Sequence, residues 1–321
     1  MDVKRRSCMN DAARLILAAT LGWGQALAAA PSSDPPRLQL GANTVQTTTP
    51  EIRADAALVV DESGRVLYAK HTHTLKPIAS ITKLMTAIVV LDSGLPLDEP
   101  ITVIEADRDT MRNSRSRLRI DRGATLSRRN MLAVALMSSD NRAASALGRT
   151  AFPGGKPAFV TAMNRKAAAL GMGETRFADP TGLDGGNQST AQDLLALVRA
   201  AARYPLIRAV TSRERMTVWP YGNTGDPSAG LEYRNTNPLV GNPEWGVELS
   251  KTGYINEAGR CLVMRAVAAG RRLDIVLLDS AGKRTPVGDS NRLRKWLAES
   301  GHLAGDASRT PADPWTTPYW E

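Results

Sequence analysis

The sequence predicts an α+β fold, within the broad α/β class: one mainly antiparallel five-stranded sheet, flanked by helices, beside an all-helical lobe. Three observations predict it. Strand-like runs lie toward both ends of the chain. Between them, successive segments show apolar spacing near 3.6 residues, the helical period. No linker, charge block or repeat divides residues 51–300, so a single compact unit of about 250 residues is expected. Strands at both ends with helices between them imply that the two chain ends meet in one sheet.

Residues 56–60 are apolar and β-branched enough for a strand, Asp61-Glu62-Ser63-Gly64 is turn chemistry, and 65–69 returns as a second strand. Helices are expected over 80–92, 127–137, 141–149, 156–170 and 190–203. Ser127 and Thr190 suit N-caps, and Thr190 with Asp193 three residues on resembles a capping box. Three further strands, 248–254, 261–267 and 273–278, follow, the last two joined by a turn at Gly270-Arg271-Arg272. A final helix is expected from about 290 to 300.

The termini read differently. Lys4, Arg5, Arg6 and Arg14 precede a mostly apolar run ending in Ala26-Leu27-Ala28, the basic, apolar, small order of an export signal. The run is shorter than the roughly 20 residues that span a bilayer core, and Gly22, Gly24 and Gln25 interrupt it. Residues 1–28 are therefore expected to be cleaved. Residues 29–50, rich in Pro, Ser and Thr, read as a flexible leader, and 301–321 as a flexible tail carrying Trp315 and Trp320. At most a peripheral membrane contact is expected there.

Composition bounds the function. With 42% hydrophobic and 23% charged residues, collagen-like, wholly disordered and multi-span membrane classes are excluded. The net charge of +9 is spread along the chain; it suggests anionic surroundings, and no nucleic-acid partner is expected. Two cysteines and three histidines are too few for a disulfide framework or a zinc cage. Signal cleavage would leave Cys261 as the only thiol. It begins an apolar run and reads as a small buried hydrophobe.

Three short motifs carry chemistry. In Ser80-Ile81-Thr82-Lys83, residues i and i+3 share a helix face, so the hydroxyl of Ser80 can meet the amine of Lys83. A serine needs a base, and a lysine that is desolvated beside other cations can become one. The alternative is a capping serine with an exposed lysine. In Ser139-Asp140-Asn141, Ser139 can relay a proton with Lys83, while Asn141 offers an amide to a substrate carbonyl and to Lys83. Alternatively Asp140 or Asn141 simply caps the next helix. In Lys251-Thr252-Gly253, Lys251 can attract a substrate carboxylate and Thr252 can hydrogen-bond it. Gly253 lets a peptide lie along the strand edge. The alternative is an edge lysine and a glycine bulge. The N–H groups of Ser80 and Tyr254 can form an oxyanion hole.

Together, and in this order, the motifs resemble the penicillin-recognising serine acyltransferases, which include penicillin-binding proteins and serine β-lactamases. The hairpin before Ser80, Pro77 to Ala87, Leu136 to Ala144 and Asp179-Pro180-Thr181-Gly182-Leu183 look like the low-molecular-mass D-Ala-D-Ala peptidases (the S11 serine peptidase family). Leu95 to Asp98, Tyr204 to Ile207, Asn235-Thr236-Asn237 and Cys261 to Arg265 look most like its D-alanyl-D-alanine endopeptidase branch. The resemblance covers about 51–300. It implies a β-lactamase/DD-peptidase-like fold and cleavage of D-Ala to meso-diaminopimelate cross-links in cell-wall peptidoglycan. It also implies acylation by β-lactams, a periplasmic location, a part in cell-wall biogenesis and cell shape, and no metal or organic cofactor. A carboxypeptidase releasing terminal D-Ala is the alternative.

One departure matters. No Glu-x-x-Leu-Asn segment lies between Ser139 and Lys251. In the related β-lactamases that glutamate activates the deacylating water. Its absence argues for slow deacylation and leaves Lys83 or Ser139 as the base. Separately, Arg108, Arg112, Arg115, Arg117, Arg119 and Arg122 crowd one stretch, read either as a solvated basic face or as attraction to an anionic polymer.

Overall fold

The computed structural model describes residues 49–109, 116–222, 230–268 and 270–299, which belong to one compact unit. The expected signal, the leader up to residue 48, and the tail lie outside the described residues. In chain order the elements are β1 (Ala56–Asp61), β2 (Val66–Lys70), β3 (Lys76–Pro77), α1 (Thr82–Asp92), β4 (Pro100–Thr102) and β5 (Thr125–Ser127). Then come α2 (Arg128–Met137), α3 (Asn141–Thr150), α4 (Gly155–Ala169), β6 (Gln188–Ser189), α5 (Ala191–Ala201) and α6 (Pro205–Thr211). The chain continues through β7 (Arg215–Val218), β8 (Leu231–Arg234), β9 (Gly246–Ile255), β10 (Gly259–Ala268), β11 (Arg271–Ser280) and α7 (Thr285–Glu299).

The five long strands form a sheet in the order β2-β1-β11-β10-β9, antiparallel throughout. The two chain ends meet inside it, with Ala56 of β1 opposite Leu278 of β11. Successive side chains of a strand point to opposite faces. Leu58, Val60, Val263, Val276 and Leu278 therefore join the core of the helical lobe, which includes α1 and α5. Val59, Leu262, Met264, Ile275 and Leu277 pack on the opposite side with Leu293 and Leu297 of α7. Covering both faces explains why β1 is buried along its whole length. Each such aliphatic side chain contributes roughly 2 kcal/mol by leaving water. Asp289 of α7 accepts hydrogen bonds from the backbone N–H groups of Arg53 and Ala54 at 3.0 and 2.8 Å, pinning the entry to β1.

The helices start where their caps allow. Ser127 caps α2 by accepting from the N–H of Asn130, Asp140 caps α3 by accepting from Ala143, and Thr190 caps α5 by accepting from Asp193. The reciprocal half of the Thr190 capping box is not made. The carboxylate of Asp193 accepts instead from the N–H of Glu174 and the hydroxyl of Thr175, at 2.9 and 2.8 Å. α7 begins five residues before the predicted start. Pro286 and Gly288 look like breakers, but a proline lacks only an N–H that the first helical turn leaves unpaired anyway. α6 and the short antiparallel pairs β3–β6, β4–β5 and β7–β8 were not expected; strands of two to four residues show too little alternation to stand out.

β9 is the edge of the main sheet next to the lobe. Its residue Gly253 lies against the turn preceding α1. A Cβ there would meet Ile78 O at 2.9 Å and Ser80 N at 3.2 Å. The glycine thus serves a close approach within the protein itself, in addition to any room it leaves for a peptide.

Candidate active site

Lys76–Pro77, pairing with Gln188–Ser189, leads into one turn of 3-10 helix, Ala79–Ile81, which continues as α1. Ala79 has φ +48°, a conformation that costs a residue with a Cβ about 1 kcal/mol. That turn places Ser80 at the sheet–lobe boundary, 9% exposed. Ser139, between α2 and α3, is also left-handed, with φ +66°. Its neighbour Asp140 is fixed on both sides: its N–H donates to Val134 O, and its carboxylate accepts from Arg117 N and Ala143 N at 2.9 and 3.1 Å. The strained non-glycine turn at Ser139 is held by these contacts.

Lys83 follows one helical turn after Ser80 and is 1% exposed. Its Nζ lies 2.8 Å from Ser80 Oγ, 2.7 Å from Asn141 Oδ1 and 2.6 Å from the carbonyl of Thr181. The last two can only accept. A neutral amine can donate its two hydrogens to them and turn its lone pair toward the Ser80 hydroxyl. Burial pushes the Lys83 pKa down from 10.5 to about 8, against the opposing field of Asp179, Asp140 and Asp109. The expected neighbouring cations do not cause the depression; desolvation does. Burial likewise pushes the Asp140 carboxyl up.

The remaining motif residues gather around this pair. Lys251, 1% exposed, donates to Ser139 Oγ at 3.0 Å and to the carbonyl of Thr252 at 2.8 Å. Ser139 is thus bonded to Lys251 and not, as expected, to Lys83. The Thr252 hydroxyl bonds that of Thr236 at 2.7 Å. Thr236 is a residue the motifs did not single out for chemistry; it lay inside Asn235-Thr236-Asn237, quoted only for resemblance. Ser80, Ser139, Asn141, Thr236, Thr252, Gly253 and Tyr254 line one cavity of about 790 Å³. The Asn141 Nδ2 has no hydrogen-bond partner among the described residues, leaving it for a ligand.

Thr181 was also missed as a site residue. Its loop is built by Asp179, whose carboxylate accepts from the N–H groups of Thr181 and Gly182 and from Asn187 Nδ2, the last two at 2.7 Å. Main-chain carbonyl oxygen, and not a carboxylate, is what this loop presents to Lys83. Gly182 has φ +81°, and a Cβ there would sit 2.0 Å from Ala79 O and 2.9 Å from Ser80 N. Backbone atoms cannot swing away. Gly182→Ala is expected to destabilise the fold by about 3 kcal/mol or more and to displace Ser80. Urea unfolding and penicillin acylation rates check both effects.

Of the other singled-out groups, Cys261 is buried and its thiol is pushed up to about 12 by burial, which leaves it unreactive. The arginine stretch is not a uniform face. Arg108 pairs with Glu105 and Arg119 with Asp121, Arg122 stacks on Tyr221, and Arg112 and Arg115 lie outside the described residues.

Comparison with known proteins fits this geometry. The sequence profile of the peptidase S11 family, described as D-alanyl-D-alanine carboxypeptidase, matches residues 43–282. A D-alanyl-D-alanine endopeptidase of Pseudomonas aeruginosa is 46% identical over 291 residues, 90% of each chain. The crystal structure of the Streptomyces K15 DD-transpeptidase superposes with a TM-score of 0.72 at 28% identity, covering 78% of this chain and 99% of that one. Penicillin-binding protein D2 of Listeria monocytogenes, in its cefotaxime-bound form, gives 0.66 at 30% identity, covering 76% and 97%.

Proposed function

The chain belongs to the S11 family of serine peptidases, and from that premise we propose a serine D-Ala-D-Ala-type endopeptidase that hydrolyses D-alanyl–meso-diaminopimelate cross-links of peptidoglycan. The carrying observation is the 2.8 Å contact between the buried Lys83 amine and Ser80 Oγ. The 46% identity to an endopeptidase over nine-tenths of both chains favours this branch. Release of terminal D-Ala is the second reading, favoured by the description of the family.

Ser80 Oγ attacks the D-Ala carbonyl carbon as its proton passes to Lys83 Nζ. The carbonyl oxygen becomes an oxyanion, held by the N–H groups of Ser80 and Tyr254. The C–N bond then breaks. The leaving amine takes the proton of the Ser139 hydroxyl, Lys251 Nζ resupplies Ser139, and the proton taken up by Lys83 returns to Lys251 through the cleft, which frees Lys83 for deacylation. Asn141 Nδ2 orients the acyl peptide, while Lys251 and Thr252 hold the carboxylate next to the scissile bond. Water then attacks the ester, Ser80 Oγ leaves with the returning proton, and the acid product departs. Lys83 is the deacylation base this geometry favours, because its Nζ, 2.8 Å away, contacts Ser80 Oγ directly.

β-Lactams enter the same first step: the ring C–N bond breaks and the acyl-enzyme remains. The absence of a Glu-x-x-Leu-Asn segment between Ser139 and Lys251 supports slow release. No described helix is long and apolar enough to cross a membrane. Such a substrate, together with the signal read in residues 1–28, supports action in the periplasm.

The test is product analysis by mass spectrometry after incubation with cross-linked muropeptide dimers and with free pentapeptide. Two monomers whose combined mass exceeds the dimer by one water are expected. Intact dimers alongside released D-Ala would replace this reading with the carboxypeptidase one.

A further inference from the structure

We propose that a second groove, beside the catalytic cavity, receives the acceptor stem of the cross-link, and that Arg117 binds a carboxylate of that stem. This rests on the endopeptidase reading and names which part of the molecule serves the half of the substrate that leaves.

The groove has a volume of about 630 Å³ and is lined by Ser116, Arg117, Ser138, Tyr233, Arg234 and Thr236, with Glu232. Thr236 also lines the catalytic cavity, so the two spaces meet there. The N–H of Thr236 donates to Met137 O, which holds this junction against the end of α2, immediately before Ser138 and Ser139.

The direction of the chemistry assigns the two spaces. The two stems of a cross-link leave the reacting bond in different directions. The acyl stem follows the edge of β9 past Gly253 and Tyr254 toward Asn256, all lining the larger cavity. The leaving nitrogen must lie at Ser139, the hydroxyl that Lys251 serves. Beyond Ser139 the path runs by Ser138 and Thr236 into the second groove. A carboxypeptidase has only one amino acid to place there; an endopeptidase must place a peptide. That peptide is acidic, carrying carboxylates beyond the diamino acid whose amine departs.

Arg117 suits such a ligand. It is exposed, its guanidinium donates to Glu232 O and lies 5.3 Å over the Tyr233 ring. Its own backbone N–H is held by Asp140. No carboxylate forms an ion pair with it among the described residues. Glu232, the acid in the groove, is engaged by Arg234 at 2.7 Å and by Arg215 at 3.9 Å. Arg117 therefore presents a positioned, uncompensated planar cation, which matches a carboxylate.

The test compares wild type with Arg117→Ala and Arg117→Lys on three substrates: a cross-linked muropeptide dimer, the same dimer with only the acceptor carboxylates beyond the diamino acid amidated, and benzylpenicillin, which has no acceptor stem. Arg117→Ala should raise KM for the dimer about tenfold with kcat within twofold, and Arg117→Lys should recover part of the loss. Acylation by penicillin should stay within twofold of wild type, which also reports a correctly folded site. Wild type and Arg117→Ala should cleave the amidated dimer alike. An unchanged KM for the dimer, an equal loss of penicillin acylation, or the same deficit on the amidated dimer would each overturn the assignment. A wild type that leaves every dimer intact while releasing terminal D-Ala would instead remove the endopeptidase reading on which the assignment rests.

Discussion

Ser80→Ala is expected to abolish covalent labelling by penicillin and cleavage of cross-linked dimers together, each by more than about 10⁴-fold. Only one atom is removed, and among the described residues the Ser80 side chain has a single hydrogen-bond partner, Lys83. The fold should therefore change by no more than about 1 kcal/mol, which urea unfolding checks. Intact-protein mass spectrometry after penicillin exposure reads the first loss and muropeptide analysis the second. Labelling that survives in the alanine variant would move the nucleophile elsewhere, and among the described residues no other serine touches Lys83.

The second large effect concerns Lys83. Its reactive form is the free amine, and its pKa is pushed down to about 8. The penicillin acylation rate should therefore rise with pH, by about tenfold per unit below 8, and level off above it. Lys83→Arg should lose more than about 10³-fold, because a guanidinium does not give up its proton in this range, and Lys83→Met should lose as much. The same shift affects stability. The unfolded amine, with its pKa near 10.5, binds more protons than the folded one between pH 8 and 10.5. The contribution of Lys83 to stability is thus fully present above about 10.5 and lost as pH falls through 8. Wild type should gain stability across that window relative to Lys83→Met. A flat acylation profile from pH 7 to 9 would exclude Lys83 as the titrating base.

The sheet and most helices were legible before any coordinates because their signals are local. Period-two and 3.6-residue apolar patterns, turn residues and caps act over a few neighbours, and β1, β9, β10, β11 and α1 to α5 begin and end within one or two residues of expectation. The first turn of α7 was hidden from the sequence by Pro286 and Gly288, and the capping box at Thr190 lost its second half to Glu174 and Thr175, which approach from a distant loop. Sequence spacing could bring Ser80 and Lys83 together because one helical turn joins them. It could not choose the partner of Ser139, which the fold pairs with Lys251, 112 residues away.

The sequence by itself determined the fold class, the order of the motifs and the Ser80–Lys83 contact, since each depends on residues close along the chain. The tertiary structure alone decided that Lys83 is desolvated among acidic neighbours, that Thr181 O and Thr236 belong to the site, and that Gly182 and Gly253 admit the Ser80 turn. Those outcomes depend on which distant surfaces exclude water from one another, and excluded volume and burial are properties of the packed chain as a whole.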